Sequence, residues 1–144
     1  MSEWILSESE NQRLFDERVR PALFPAEPAD APALVFAVGQ PGASALRVSS
    51  RLIDGTNLAA LGNTDLRAFH PRYLELSGSR ASEAASVLNK STSGWMRSAL
   101  QHARTTKRSL LLDGTRSSAD VALATMGMFE RNGFTTTLAV VAVS

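Results

Sequence analysis

The first place to look for chemistry is Gly39-Gln40-Pro41-Gly42-Ala43-Ser44-Ala45-Leu46. This stretch follows the continuous apolar run Ala33-Leu34-Val35-Phe36-Ala37-Val38. A strand, a glycine-rich turn and then a helix can aim backbone N–H groups at a phosphate. The phosphate-loop pattern G-x-x-x-x-G-K-[ST], started at Gly39, asks for glycine, lysine and a hydroxyl at the last three positions. The chain has Ser44, Ala45 and Leu46 there, and its only lysines are Lys90 and Lys107. The location suits phosphate, and the amine that would hold it is missing. Read without phosphate, the same residues make a tight strand-to-helix turn. A second candidate group follows another apolar run, Ser109-Leu110-Leu111-Leu112: Asp113 and Thr115 stand where a strand ends. Ligands of open α/β sheets sit outside such strand ends.

The elements that must carry these residues read as follows. Ser7 and Glu10 have capping-box spacing, and Leu14, Phe15, Val19 and Leu23 recur on one face, which predicts a helix over 7–24. Pro21 should stop or kink it. Pro25 to Pro32 is a connector. The runs at 33–38, 109–112 and 138–143 are apolar throughout, as parallel strands covered on both faces are. Leu58 to Leu61 is a short strand candidate. Helices are expected over 70–76, 81–88, 94–104 and 117–132. In the third of these Trp95, Ala99 and Ala103 share a stripe. In the fourth Val121, Thr125, Met128 and Phe129 face inward, with Gly133 as the stop. Strands alternating with helices mean an α/β fold with a mainly parallel sheet. One domain is expected over 1–144, with helix and connector over 1–32 and an α/β core over 33–144.

Composition excludes several classes. The chain has 144 residues, 44% hydrophobic and 20% charged, with a formal net charge of +1. That is globular composition without the basic excess of a nucleic-acid binder. The Arg104 to Arg108 cluster has no interleaved aromatics and reads as a helix end near the macrodipole. There are no cysteines, so disulfides, thiolate metal sites and thiol nucleophiles are excluded. The two histidines, His70 and His102, are far apart in sequence, and no metal site is expected. No run is long enough to span a membrane, and the start lacks a signal-peptide pattern. A cytoplasmic location is expected.

Three separated motifs together resemble the zeta-toxin family. They are Gln40-Pro41-Gly42-Ala43, then Asp65-Leu66-Arg67-Ala68-Phe69-His70-Pro71-Arg72-Tyr73, then Asp113-Gly114-Thr115. The opening Leu6-Ser7-Glu8 with Leu14-Phe15 and Pro21 is similar too, so the resemblance covers nearly the whole chain. It implies a P-loop kinase-like three-layer α/β fold. It also implies a toxin–antitoxin context and ATP-dependent phosphorylation of UDP-N-acetylglucosamine or a related nucleotide sugar. By that resemblance 39–46 is the cofactor loop, and Arg67, His70, Asp113, Thr115 and Thr125 are substrate-binding candidates. Asp113 stands where the family has a glutamate, and Thr115 and Thr125 match family threonines. Each keeps a plainer reading beside this one. Asp113 can cap the helix that starts near Ser117, Thr125 can face the sheet, and His70 can be local packing.

The departures from the family all touch phosphate transfer. Ala45 and Leu46 can hold neither the β- and γ-phosphates nor Mg²⁺. The family's general base position is occupied by Thr64, with Asp65 one step late as the catalytic candidate. The family arginine after the threonine falls on Ser117, with Arg116 one residue early. The segments bearing further family arginines lie beyond a strand matching 138–143, and the sequence ends at Ser144, so a C-terminally short fold is expected. Loss of a base costs about 10²–10⁴ in rate, and loss of a phosphate-neutralising arginine about 10³–10⁵. The expectation is a pseudokinase that acts by binding a UDP-sugar or an antitoxin-like helical partner. Under that expectation no cofactor is bound; ATP and Mg²⁺ enter only if the chain is active. The alternative is a weak or altered kinase with Asp65 as base. A third reading is a remnant without function. The 140–143 strand at a sheet edge could also pair two copies.

Overall fold

The computed structural model describes residues 2–24, 30–39, 59–62, 66–113 and 119–141. The chain forms two compact units, each built from two stretches of sequence. One takes Met1–Pro25 and Asn63–Gln101, the other Ala26–Gly62 and His102–Ser144.

In the first unit, a 3-10 turn at Ser2–Trp4 precedes helix α1, Glu8–Leu14. The Ser7 hydroxyl accepts from the Glu10 N–H at 3.2 Å and donates to its carboxylate at 2.9 Å. The expected cap is formed, with the reciprocal bond made side chain to side chain. The helix then widens over Phe15–Val19 into a π turn, where the Arg20 N–H reaches back to the Phe15 carbonyl. It ends as α2, Arg20–Leu23. Pro21 explains the widening: it has no N–H for the carbonyl four residues back, and its ring crowds that carbonyl. Phe15 and Val19 are buried by this turn.

Among the described residues two further helices follow, α3 over Tyr73–Ser77 and α4 over Ser82–Thr106, the latter belonging to this unit as far as Gln101. The expected break between 88 and 94 does not occur. Asn89 to Gly94 is a poor helix former by composition, but Ser91 and Thr92 continue the buried stripe of Ala84, Val87, Leu88 and Trp95. Thr92 Oγ1 donates to the Asn89 carbonyl at 3.3 Å, and the Ser91 carbonyl accepts from Asn11 Nδ2 at 3.2 Å. Packing outweighs propensity here. Trp95 is the centre of the unit, 1% exposed, with its Nε1–H on the Asn11 carbonyl at 2.9 Å.

The second unit holds a sheet of four strands: β1 Ala33–Gly39, β2 Ala59–Leu61, β3 Leu110–Asp113 and β4 Thr135–Val141. Their order is β2-β3-β1-β4 and every ladder is parallel. This is the α/β fold with a parallel sheet that the apolar runs predict. β4 begins three residues earlier than the apolar run, because the β-branched Thr135 to Thr137 pair with Ala33 to Val35.

Helix α5, Ala119–Glu130, precedes β4. Its inward face is corrected by the structure. Ala122 and Phe129 are buried, whereas Val121 is 54% and Met128 41% exposed. Thr125 is partly buried. Gly133, at φ 89°, ends the turn as expected, and the Phe134 N–H returns to the Phe129 carbonyl at 3.1 Å. The two rings meet edge to face at 4.9 Å, the apolar contact that accompanies such a stop. The α4 terminus closes the same way through Lys107, at φ 59°, and Arg108, whose N–H reaches the Ala103 carbonyl at 2.9 Å.

Candidate functional site

The sheet carries the first group of candidates. β1 lies between β3 and β4, so connections leave its neighbourhood toward opposite flanks of the sheet. The carboxyl end of such a strand is where open α/β sheets take ligands. Gly39 is the last residue of β1, and Asp113 is the last of β3. Asp113 stands in register with Ala37, so its backbone reaches the same end of the sheet as Gly39. Asp113 is partly exposed and takes part in an interaction within the protein.

Several candidates lie outside the described residues. These are Gln40, Pro41, Gly42, Ala43, Ser44, Ala45 and Leu46 of the loop, Thr64 and Asp65, and Thr115. The strand ends that flank the loop and Thr115 are described; the residues themselves are not.

Thr125 sits in the middle of α5. Its hydroxyl donates to the Val121 carbonyl of its own helix at 2.9 Å. The oxygen lone pairs stay available to a ligand, but the proton is already used.

Arg67 and His70 belong to the first unit, on the turn that spans residues 66–72. Arg67 Nη2 donates to Asn89 Oδ1 at 2.8 Å, while its Nε is buried with no hydrogen-bond partner. His70 is 3% exposed. Its Nδ1 accepts from the Arg72 N–H at 3.0 Å, so the proton is on Nε2, which faces the Trp4 carbonyl at 3.0 Å. Desolvation lowers its pKa from the ordinary 6.5, against a smaller raising effect of the Trp4 carbonyl. Both ring nitrogens are therefore spent on backbone. His70 matches the packing reading better than a ligand-contact role.

Sequence reasoning missed the partners of these side chains. Trp4 anchors His70 and also lies under the Arg72 guanidinium at 5.4 Å. Asn89 holds Arg67, and Phe69 meets Trp95 edge to face at 6.5 Å. A tryptophan near the chain start, far from the motifs, was the one available signal. Among the described residues, no group of three or more His, Asp or Glu side chains could hold a metal. Nor is any helix among them long and apolar enough to cross a membrane.

Comparison with known proteins gives two findings. The family model for zeta toxin matches residues 17–144. A solved chain from the PezAT chromosomal toxin–antitoxin system of Streptococcus pneumoniae superposes with a TM-score of 0.80 at 20% identity. The match covers 98% of this chain and 60% of that one, so the chain spans less than two thirds of its length. No curated protein matches. The superposition fixes the architecture as the P-loop kinase-like fold of that toxin.

Proposed function

The chain belongs to the zeta-toxin family, and on that premise we propose that it is a pseudokinase that acts by binding rather than by phosphate transfer. One observation carries the proposal. Where the family's loop places its amine and its Mg²⁺-binding hydroxyl, this chain has Ala45 and Leu46. A charged hydrogen bond to phosphate is worth about 1.5–3 kcal/mol, so the lysine alone accounts for roughly tenfold to a hundredfold in ATP affinity. Ser44 adds a side chain where glycine lets backbone approach phosphate. The donor set at these positions does not fit Mg-ATP.

The base position holds Thr64, which is a poor proton acceptor at neutral pH. On the substrate side more is kept. Asp113 at the end of β3 supplies a carboxylate for the hydroxyls of a nucleotide sugar, and Thr115 and Thr125 supply hydroxyls. The ligand proposed is a UDP-sugar such as UDP-N-acetylglucosamine. The partner proposed is an antitoxin-like helical protein, since the solved relative comes from a toxin–antitoxin system. A cytoplasmic setting and pairing of two copies along β4 complete this reading.

The alternative is a weak or altered ATP-dependent UDP-N-acetylglucosamine kinase with Asp65 as base. Asp113, retained beside the end of β1, is the observation in its favour. Phosphorus NMR of the purified chain with Mg-ATP and UDP-N-acetylglucosamine separates the two. The proposal expects no phosphorylated sugar nucleotide above a no-protein control. Turnover that disappears in Asp65→Ala would overturn it and establish the alternative.

A further inference from the structure

We propose that His70 is a proton-operated clasp, whose neutral imidazole fastens the N-terminal turn at Trp4 to the turn of residues 66–72 and whose protonation releases it. The ring bridges two pieces of chain 66 residues apart, and it does so entirely through backbone. Nε2–H donates to the Trp4 carbonyl at 3.0 Å, and Nδ1 accepts from the Arg72 N–H at 3.0 Å. A second contact lies over the first: the Arg72 guanidinium sits 5.4 Å from the centre of the Trp4 ring. Trp4 and Tyr73 pack against the buried cluster of Leu76, Ala84, Val87 and Leu88. The N-terminal turn therefore rests on α3 and α4 and is tied down by the 66–72 turn.

Charging the ring breaks this arrangement. A proton on Nδ1 sets a donor against the Arg72 N–H, and the cation is confined in a site where the residue is 3% exposed. The charged groups around it do not compensate. Arg18, on the π turn, lines the same cavity of about 570 Å³, and Arg72 follows the ring in sequence. Glu75 is the one carboxylate in that lining, and it is paired with Arg72 at 3.4 Å. Glu3, in the N-terminal turn, has an interaction of its own. The imidazolium gains more from water than from this site, so the ring leaves and the Trp4 carbonyl is let go. Burial lowers the ring's pKa in the closed state, as a clasp that opens on protonation requires.

Release would loosen a functional segment. Arg67 is on the same turn, held at its other end by Asn89. The clasp is independent of which ligand the chain takes, so it stands or falls apart from the pseudokinase reading.

The test is NMR of the full chain across about pH 5 to 8, the range in which histidines titrate. The expected result has three parts. The His70 ring carries its proton on Nε2 at neutral pH. It titrates below 6.5. The Trp4 indole signal and the protection of the Arg72 amide, corrected for intrinsic exchange, change several-fold with the same midpoint. In His70→Gln, whose amide can still donate to the Trp4 carbonyl, those two signals should be flat with pH. Trp4 and Arg72 signals that ignore the His70 titration would overturn the proposal. So would a Gln variant with the wild-type pH response. If that variant does not fold, the wild-type titration alone decides, with His102 as the internal comparison.

Discussion

Asp113, the last residue of β3, is in register with Ala37 of β1, two residues before the glycine that ends that strand. A carboxylate-bearing residue and the end of β1 thus lie at the same end of a parallel sheet. The sequence that follows β1 reads Ser44, Ala45 and Leu46 at the last three positions of the 39–46 stretch.

If Asp113 contacts a sugar nucleotide, Asp113→Ala should weaken UDP-N-acetylglucosamine by roughly tenfold to a hundredfold, the range of one charged hydrogen bond. Asp113→Glu should retain most of the affinity. Thermal unfolding of all three proteins checks that the loss is not one of fold.

Restoring the loop should restore the nucleotide. The triple change Ser44→Gly, Ala45→Lys, Leu46→Ser is expected to raise Mg-ATP affinity by at least about tenfold, from the lysine alone. Equal heats of binding for the variant and the natural chain would show that the loop is not where ATP affinity was lost.

Thr125 can be assigned by one substitution. Its hydroxyl donates within α5, to the Val121 carbonyl. That bond is one the helix does without easily, so Thr125→Val should leave the unfolding midpoint nearly unchanged. A fall in UDP-sugar affinity without loss of stability gives Thr125 a ligand role; unchanged affinity leaves it a helix residue.

His70 makes stability depend on pH with a definite sign. Its folded pKa is lowered, so the unfolded chain takes up the proton more readily. The contribution is fully present above the ordinary 6.5 and is lost as pH falls from there through the lowered folded value. Urea midpoints measured on both sides of that range should drop on the acid side. The drop should be smaller in His70→Gln.

Trp95→Phe tests the centre of the first unit. The change removes the Nε1–H that donates to the Asn11 carbonyl at 2.9 Å, although that carbonyl still accepts from the Phe15 N–H, and it leaves the smaller ring in a space shaped for the larger one. A lost hydrogen bond costs about 0.5–1.5 kcal/mol, and denaturant unfolding should register at least a loss of that size.

Much of the fold was legible because single residues announced it. Ser7 and Glu10 marked a helix start that forms as written, and Trp95, Ala99 and Ala103 marked a stripe that is buried. The apolar runs gave the parallel strands. What was not legible depends on partners distant in sequence. Asn89 to Gly94 looks like a break, and only the packing of Ser91 and Thr92 with the Asn11 contact makes it helix. Val121 and Met128 have core chemistry, yet α5 is rotated so that Ala122 and Phe129 face inward. His70 read as either pocket or packing until Trp4 and Arg72 took both its nitrogens. The lysine-free stretch at 39–46 is read from the sequence alone, and its residues 40–46 lie outside those the structure describes.

The central claim is most directly tested by calorimetric titration of the purified chain with Mg-ATP and, separately, with UDP-N-acetylglucosamine. The account predicts binding of the sugar nucleotide and no measurable binding of ATP. Micromolar ATP binding would contradict it.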